Sequence, residues 1–231
     1  MATHLVTGAG SGIGRAVTQA LHARGDDLVL LARNDARAEE LGVAFPGADV
    51  RVLDLADPEA VDAFGAVPRR LDSMLHIAGV VELAPVAELD AHHLREQLDV
   101  NLVAPALVTR ACLPALRAAG GTAVFVNSAA GLAAGASWSA YAASKFGLRA
   151  LADALRAEEM GNGVRVTTVF PSRTATPMQE KVHEQEGRTY DSSLWIRPET
   201  VAATILHVLD VPRDATIPEV TVRPLVPWTP R

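Results

Sequence analysis

The sequence predicts an α/β fold in which a doubly wound, seven-stranded, mainly parallel sheet carries helices on both faces. Apolar, β-branched segments alternate with amphipathic ones along almost all of the 231 residues. The strand-like segments are apolar throughout instead of alternating, which is expected where helices cover both faces of a sheet. Glycine or proline marks most of the junctions. Right-handed connections between parallel strands then produce the open, doubly wound arrangement.

The elements follow one another in a regular order. The predicted strands are 3–7, 27–32, 50–54, 73–78, 122–128, 164–170 and 215–222. The predicted helices are 13–24, 35–42, 57–65, 88–118, 139–160 and 198–209. Sheets of this kind bind ligands beyond the carboxyl ends of their strands, so functional residues should collect there. We find no repeat, low-complexity tract or linker, and therefore predict a single domain over residues 1–231.

Composition excludes several classes of protein. The net charge is −6, with no long run of either sign, which argues against a nucleic-acid partner or an anionic membrane surface. The first residues do not resemble a signal peptide, and no run of about 18 apolar residues predicts a membrane span. Cys112 is the only cysteine, so it cannot form an intramolecular disulfide, and we interpret it as a small buried hydrophobe. These features predict a cytoplasmic protein.

The first strand runs into a glycine-rich turn, "TGAGSGIGRA". Gly8, Gly12 and Gly14 have the spacing Gly-x-x-x-Gly-x-Gly, which differs from the strict Gly-x-Gly-x-x-Gly because Ile13 occupies one glycine position. Glycines allow a tight turn and a close approach of a pyrophosphate, and the following helix offers free N–H groups. Such a turn alone could be structural, but its place between the first strand and a helix favours a dinucleotide site.

The end of the second strand indicates which dinucleotide. An acidic residue there would bind the ribose 2′-hydroxyl of NAD(H), but the strand ends with Ala32 and Arg33. Arg33 and Arg15 would suit a 2′-phosphate, so we predict NADP(H) in preference to NAD(H). The alternative is that both are solvated surface arginines. Asp54, after the third strand, could accept from the adenine amino group or cap the next helix.

The stretch "SAYAASKFG" places Tyr141 and Lys145 four residues apart on one face of a predicted helix. A nearby ammonium, together with an oxidised nicotinamide, would favour the phenolate and lower the pKa of the tyrosine. The phenol could then exchange a proton with an alcohol or carbonyl while hydride passes to or from the nicotinamide.

Two further polar residues are candidates for the same site. Ser128, just past the fifth strand, could hold the substrate oxygen, or it could be a plain turn residue. Asn101 lies within a predicted helix, where asparagine is locally unfavourable. It is either a helix kink, a satisfied core amide, or a carbonyl or water site that connects the lysine to solvent as a proton path.

Taken together, the ordered motifs resemble the short-chain dehydrogenase/reductase family, in its short, single-domain branch with a Rossmann-like fold. The likeness runs from "TGAGSGIG" through "HIAG", "DVNL", "VNSAAG" and "YAASK" to "PSRTATPM". The resemblance implies a catalytic set of Asn101, Ser128, Tyr141 and Lys145, with Tyr141 as the acid–base. It also implies that Lys145 bonds the nicotinamide ribose.

The resemblance implies contacts to the cofactor as well. Gly8, Ser11, Ile13 and Gly14 would wrap the diphosphate, Asp54 and Leu55 would flank the adenine, Ala78 and Gly79 would line the cleft, and Thr176 would reach the carboxamide. The full candidate set for cofactor binding is Gly8, Ser11, Gly12, Ile13, Gly14, Arg15, Arg33, Asp54, Leu55, Ala78, Gly79, Tyr141, Lys145, Pro171 and Thr176.

Two motifs depart from the family pattern. The usual Asn-Asn-Ala-Gly reads His76-Ile77-Ala78-Gly79, and the usual Pro-Gly reads Pro171-Ser172. We expect His76 to be a satisfied core histidine. Adjacent His92 and His93 should lie on a solvated helix surface, and no metal site is expected.

The polar segment 177–198 corresponds to a mobile flap over the substrate in the family, although a disordered surface insertion is the alternative. Because it is short, we expect a fairly open site for a small or medium carbonyl compound. We also expect a homo-oligomer, a dimer or tetramer, formed through the helices at 88–118 and 139–160.

These observations predict an NADP(H)-dependent oxidoreductase that interconverts a secondary alcohol and a ketone or aldehyde. The alternative is a redox sensor or scaffold that binds NADP(H) without catalysis. An epimerase or dehydratase of the family's longer branch is disfavoured by the length of the chain.

Overall fold

The strands pair in a single parallel sheet of order β3-β2-β1-β4-β5-β6-β7. The structure is a computed structural model that describes residues 1–65 and 68–225. The strands are β1 Thr3–Thr7, β2 Asp27–Ala32, β3 Asp49–Val52, β4 Ser73–His76, β5 Thr122–Val126, β6 Arg165–Pro171 and β7 Glu219–Val222. The order reverses between β1 and β4, so the predicted doubly wound sheet is confirmed, and every pairing within the described residues is parallel.

Helices cover both faces of this sheet. They are α1 Gly12–Ala23, α2 Asp35–Ala44, α3 Pro58–Asp62, α4 Ala91–Leu98, α5 Ala104–Ala119, α6 Ser139–Glu159, α7 Pro177–Gln185 and α8 Pro198–Asp210. Helices α3, α5 and α6 contribute to the core on one face, whereas α1, α2 and α8 contribute to the core on the other.

Alternate residues of one strand enter opposite cores, which explains the continuous apolar runs. In β5, Phe125 belongs to the core beneath α5 and α6, whereas its neighbours Val124 and Val126 belong to the core beneath α1 and α8. Leu5 and Val6 of β1 divide in the same way. Because successive side chains point to opposite faces, a strand covered on both sides must be apolar at every position.

The predicted helix 88–118 is wrong as one regular element. Helix α4 ends at Leu98, and a π-helical turn, Asp99–Val103, joins it to α5. Pro105 lies in the first turn of α5 and has no N–H, so it cannot donate the bond that an α-helix would direct to the Asn101 carbonyl. The wider turn therefore occurs where the regular hydrogen-bond ladder cannot continue.

Other boundaries also differ from the sequence prediction. Strand β7 is shorter than 215–222, because Pro218 cannot donate to the ladder and the regular pairing begins at Glu219. Strands β3, β4 and β5 end at Val52, His76 and Val126, before the turns that carry site residues. The segment 177–198 contains an unpredicted helix, α7, in which Val182 and His183 are buried.

Within the described residues, one helical stretch is long and apolar enough to cross a membrane by length and composition alone. It is Ala91–Ala119, with a mean hydropathy of 1.3. Its buried residues include Val108, Cys112 and Leu116, which pack in the core under the sheet. Core helices of globular folds meet the same criterion, so the stretch is weak evidence for a membrane span.

Candidate active site

A cleft of about 670 Å³ opens at the carboxyl-terminal edge of the sheet. The residues that line it follow β1, β4, β5, β6 and β7 or lie on α1, α6 and α7, as expected for a parallel sheet. Most of the sequence-predicted residues line it. They are Gly8, Ser11, Gly12, Ile13, Gly14, Ala78, Gly79, Ser128, Tyr141, Lys145, Pro171 and Thr176.

The glycine turn is packed too tightly for side chains. Gly8 has a φ of 76°, and a β-carbon there would lie 2.8 Å from the backbone nitrogen of Ala78. A β-carbon on Gly14 would overlap the Gly8 carbonyl. Helix α1 therefore starts directly against the end of β1.

The start of α1 suits an anion. Ser11 is the N-cap residue and makes no capping hydrogen bond through its side chain, and no acidic residue occupies the first turn. The first N–H groups of a helix carry partial positive charge and need acceptors. Since Ser11, Ile13 and Gly14 line the cleft, this cradle fits a diphosphate.

Two side chains from other parts of the chain hold the turn after β4, where the family pattern has two asparagines. The Thr7 hydroxyl accepts from the N–H groups of Ile77 at 3.0 Å and Ala78 at 3.1 Å. Asn101 accepts from the Val80 N–H and donates to the Val80 carbonyl, both at 2.9 Å. The turn that carries Ala78 and Gly79 is thus held from two directions, despite the departure at His76-Ile77.

His76 is a core residue, as predicted. Its Nε2 lies 3.0 Å from the Thr109 hydroxyl, and its ring stacks on Phe125 with a centroid separation of 4.9 Å. Burial lowers the pKa of His76 to about 3, so the ring stays neutral. His76 therefore supports the sheet and does not line the cleft.

Asn127 is a structural residue of the site that the sequence analysis missed. Its amide donates to the Lys145 carbonyl at 2.9 Å and accepts from the Ser128 N–H at 2.8 Å. Asn127 is buried, and it connects the turn after β5 to helix α6. The only indication of this role in the sequence was an amide residue next to Ser128, at the end of an apolar strand.

The Ser128 hydroxyl accepts a hydrogen bond from the Ala130 N–H at 3.1 Å.

Tyr141 and Lys145 lie on one face of α6 and both enter the cleft, as their spacing predicted. The Lys145 ammonium lies 5.7 Å from the centroid of the Tyr141 ring. It donates to the Val126 carbonyl at 3.1 Å. Both side chains are almost completely buried, so the two polar groups are held in a low-dielectric environment.

Burial dominates the proton affinities of this pair. Burial raises the pKa of Tyr141 to about 12, and a hydrogen bond with Ser128 acts in the opposite direction. Burial also lowers the pKa of Lys145 to about 8. Desolvation penalises both charged forms, so the protein groups by themselves do not lower the pKa of the phenol. The predicted lowering, which includes the charge of an oxidised nicotinamide, stays a prediction.

Asn101 lies behind the cleft and not in its lining. It is fully buried, and its amide also donates to the Ser144 hydroxyl at 3.0 Å. The interpretation as a satisfied core amide is confirmed for its side chain. A β-carbon on Gly79 would lie 3.0 Å from the Asn101 side-chain oxygen and 3.5 Å from the Lys145 ammonium. Gly79 thus lies next to both side chains, and a larger residue there would collide with them.

The residues predicted to bind the adenosine end of the cofactor lie outside the cleft lining. Arg15, Arg33, Asp54 and Leu55 do not belong to the described lining of the cleft, and Arg15 and Arg33 are exposed. Asp54 accepts from the Ala56 N–H at 3.0 Å, so it caps a local turn.

Arg37 was not predicted. Its guanidinium would lie 3.2 Å from a β-carbon on Gly10, at the glycine turn, and it pairs with Glu40 at 2.5 Å. The only indication in the sequence was a second arginine, four residues after Arg33.

The other end of the cleft is mainly apolar. Val81, Ala130, Tyr141 and Val182 form a buried cluster on which Trp138 packs, and all five line the cleft. The Trp138 ring meets Tyr141 edge-on, with centroids 5.7 Å apart. Arg173 and Met178 also line this end.

Metal and thiol chemistry find no support in the part of the chain that the structure describes. No group of three or more histidine, cysteine, aspartate or glutamate side chains could hold a metal ion there. Cys112 is buried and burial raises the pKa of its thiol to about 12, so its interpretation as a buried hydrophobe is confirmed.

Comparison with known proteins adds an independent observation. A family model described as short chain dehydrogenase matches residues 2–187. An uncharacterized oxidoreductase of Staphylococcus aureus (strain N315) is 26% identical over 228 residues, with 96% of each chain covered.

Two solved structures share the fold over almost the full length. An alcohol dehydrogenase from the archaeon Thermococcus sibiricus, complexed with 5-hydroxy-NADP, has a TM-score of 0.84 and 25% identity, with 100% of each chain covered. A protein from Escherichia coli CFT073, complexed with NADPH, has a TM-score of 0.85 and 28% identity, covering 96% of this chain and 97% of that one.

Proposed function

The chain belongs to the short-chain dehydrogenase family, and from this premise we propose that it is an NADP(H)-dependent oxidoreductase interconverting a secondary alcohol and a ketone or aldehyde. The observation that carries the proposal is the shared cleft. Tyr141 and Lys145 are buried side by side in the same cleft that the glycine turn lines. A dinucleotide cradle and a proton-exchanging pair within one cleft are the parts that such a reaction needs.

The residues near the glycine turn favour NADP(H). Arg33, and not a carboxylate, stands directly after β2, and Arg37 follows in the first turn of α2 beside Gly10. Guanidinium groups can hold a phosphate through paired hydrogen bonds. The two relatives of known structure described above were solved with 5-hydroxy-NADP and NADPH, which is consistent with this choice.

The glycine turn and the first turn of α1 would hold the diphosphate, and Lys145 would hold the nicotinamide ribose. The bound nicotinamide would supply or accept the hydride. Thr176 lies over this region, because a β-carbon on Gly12 would be 2.8 Å from its methyl group. The segment that begins α7 therefore lies against the glycine turn and forms one wall of the cleft.

The proton steps belong to the protein. The Tyr141 phenol, hydrogen-bonded to Ser128, would donate to a carbonyl oxygen or accept from an alcohol. Its pKa is too high for this role unless further positive charge enters the site, since burial is the largest influence on it. The Lys145 ammonium, with a pKa of about 8, can exchange protons near neutral pH and replenish the phenol.

Replacement of Tyr141 by phenylalanine tests this role. Turnover should fall about 10³-fold, as expected for loss of a general acid–base. The affinity for NADPH, measured by fluorescence titration, should change little because the ring remains. Tyr190→Phe, the other tyrosine of the sequence, should leave turnover nearly unchanged. Equal turnover of Tyr141→Phe and the unaltered protein would remove the assigned role.

The alternative, a sensor that binds NADP(H) without catalysis, was suggested by the altered "HIAG" and "PS" motifs. The observed contacts weaken the case for a sensor, because hydrogen bonds hold both of the altered turns. Thr7 and Asn101 hold the turn after β4, and the Ser172 N–H donates to the Val222 carbonyl at 2.9 Å. Binding of NADPH without its oxidation across a broad panel of ketones and aldehydes would favour the sensor.

Exchange of Arg37 or Arg33 tests the cofactor preference. Arg37→Ala and Arg33→Asp should each lower the preference for NADPH over NADH by about 10- to 100-fold, the worth of a charge-assisted hydrogen bond. The ratio of kcat/KM for the two cofactors measures it. Arg95→Ala, an exposed arginine on α4, is the matched control. Unchanged discrimination in both variants would remove the 2′-phosphate argument.

The same proposal includes a soluble homo-oligomer. Helices α5 and α6 each leave part of their surface uncovered, and Phe146 of α6 is 44% exposed. Light scattering after size-exclusion chromatography would establish the assembly.

A further inference from the structure

Arg173 places a cation at the substrate end of the cleft, next to Pro171-Ser172 at the end of β6. Its guanidinium donates to both carboxylate oxygens of Glu186, at 2.9 and 2.6 Å. The two side chains are 20% and 15% exposed. A paired fork of this kind satisfies both partners and neutralises the charge locally.

Two indole rings lie close to the guanidinium of this pair. The Arg173 guanidinium lies 6.0 Å from the ring centroid of Trp138 and 5.6 Å from that of Trp195. Trp195 is buried and its ring lies 5.1 Å from the ring of His183, on α7. Trp138 contacts the Tyr141 ring, so the ion pair is two ring contacts away from the proposed acid–base.

The remaining wall is uncharged. A carbonyl held at Tyr141 would direct its substituents toward Val81, Leu132, Trp138 and Val182, which all line this end. The charged residues in the described lining are Lys145, Arg173 and Arg223. Lys145 serves the tyrosine, whereas Arg223 is exposed, so water screens its charge.

We propose that the Arg173–Glu186 pair is the specificity determinant of this site, and that it restricts the substrate to uncharged carbonyl compounds with an apolar aryl or alkyl group. The proposal rests on the oxidoreductase function above. Arg173 lines the cleft, and a keto acid would bring its carboxylate toward this guanidinium and lose its own hydration. The guanidinium that could compensate it already pairs with Glu186, and such an arrangement selects against the charged competitor.

Matched substrates test the proposal. Acetophenone and phenylglyoxylate differ only by a methyl group against a carboxylate. In the unaltered protein, kcat/KM for acetophenone should exceed that for phenylglyoxylate by about 100-fold or more, the scale on which an unpaired buried charge discriminates. Glu186→Gln removes the competing carboxylate at nearly constant shape, and this ratio should fall by about tenfold or more.

Two further variants separate charge from structure. The double variant Arg173→Met with Glu186→Gln should not gain activity toward phenylglyoxylate, because the guanidinium is absent. Glu219→Gln, which breaks the exposed pair with Arg149, should leave the ratio unchanged. Thermal unfolding of each variant verifies that it is folded.

Binding gives a readout that does not need turnover. The affinities of benzoate and benzamide, measured by calorimetry, should favour benzamide in the unaltered protein and shift toward benzoate in Glu186→Gln. Equal or better use of phenylglyoxylate by the unaltered protein, or an unmoved preference in Glu186→Gln, would overturn the proposal. If no carbonyl compound is reduced, the oxidoreductase function fails, and the benzoate and benzamide affinities still decide the specificity of the cleft.

Discussion

At the scale of single residues, Lys145 shows a conflict between stability and function. The residue is 3% exposed, and its ammonium donates to the Val126 carbonyl. Burial lowers the pKa from 10.5 to about 8, so the unfolded chain holds this proton more tightly than the folded one. The charge therefore opposes folding fully below pH 8, and the opposition fades as the pH rises from 8 to 10.5.

We expect Lys145→Met to stabilise the protein and inactivate it. Each unit of lowered pKa corresponds to about 1.4 kcal/mol, so the fall from 10.5 to about 8 should raise the free energy of unfolding at pH 7 by roughly 3 kcal/mol. Urea denaturation of both proteins at pH 7 and pH 10.5 measures the difference, which should shrink at the higher pH. A less stable Lys145→Met protein would contradict the view that this ammonium is held at a cost.

At the scale of elements, the π-helical turn between α4 and α5 combines two roles. It places the Asn101 amide against Val80 and Ser144, and Pro105 withholds the N–H that would otherwise bond the Asn101 carbonyl. Turns of this kind occur frequently at functional sites. We propose that this carbonyl, which lacks its usual helical donor, takes part in the proton path that connects Lys145 to solvent.

Pro105→Ala should therefore slow turnover without destabilising the fold. The new N–H can bond the Asn101 carbonyl, and kcat should fall by about tenfold, a fraction of what proton-transfer groups contribute. Pro114→Ala is the matched control, since Pro114 also lies within α5 but far along the helix from Asn101. Equal kcat values for the two variants would show that the carbonyl has no part in proton transfer.

The elements also show what the sequence could predict. Strand-forming runs and the motifs at their ends were predictable, because parallel strands bring their carboxyl ends to one edge whatever the details of packing. Arg37, Asn127 and the Arg173–Glu186 pair were not, since each depends on distances between segments that no local pattern contains. Helix α7 was missed because its composition is polar and only a few side chains on one face are buried.

At the scale of the whole molecule, stability should depend on pH through buried histidines at both ends of the sheet. Burial is the largest influence on His4, at the start of β1, and on His76, at the end of β4, and it lowers both pKa values. Below pH 6.5 His76 becomes protonated in the unfolded chain, whereas in the folded protein it stays neutral until about pH 3. The protein should therefore lose stability as the pH falls through this window.

His76→Asn isolates one of these contributions. Between pH 7.5 and pH 5, the free energy of unfolding of the unaltered protein should fall by about 2 kcal/mol more than that of His76→Asn. His92→Asn, on the exposed surface of α4, should follow the unaltered protein. Parallel curves for all three proteins at one fixed concentration would exclude His76 as a source of acid sensitivity.

The strand order has a consequence for how the chain is made. Strands β1, β2 and β3 are the first to leave the ribosome, and they form one side of the sheet, with an open edge at β1. Strand β4 then joins that edge, and β5, β6 and β7 each add to the strand synthesised just before. During synthesis, the sheet can therefore add its last four strands one at a time, in the order in which they are translated. Each open edge stays unpaired only until the next strand has been synthesised.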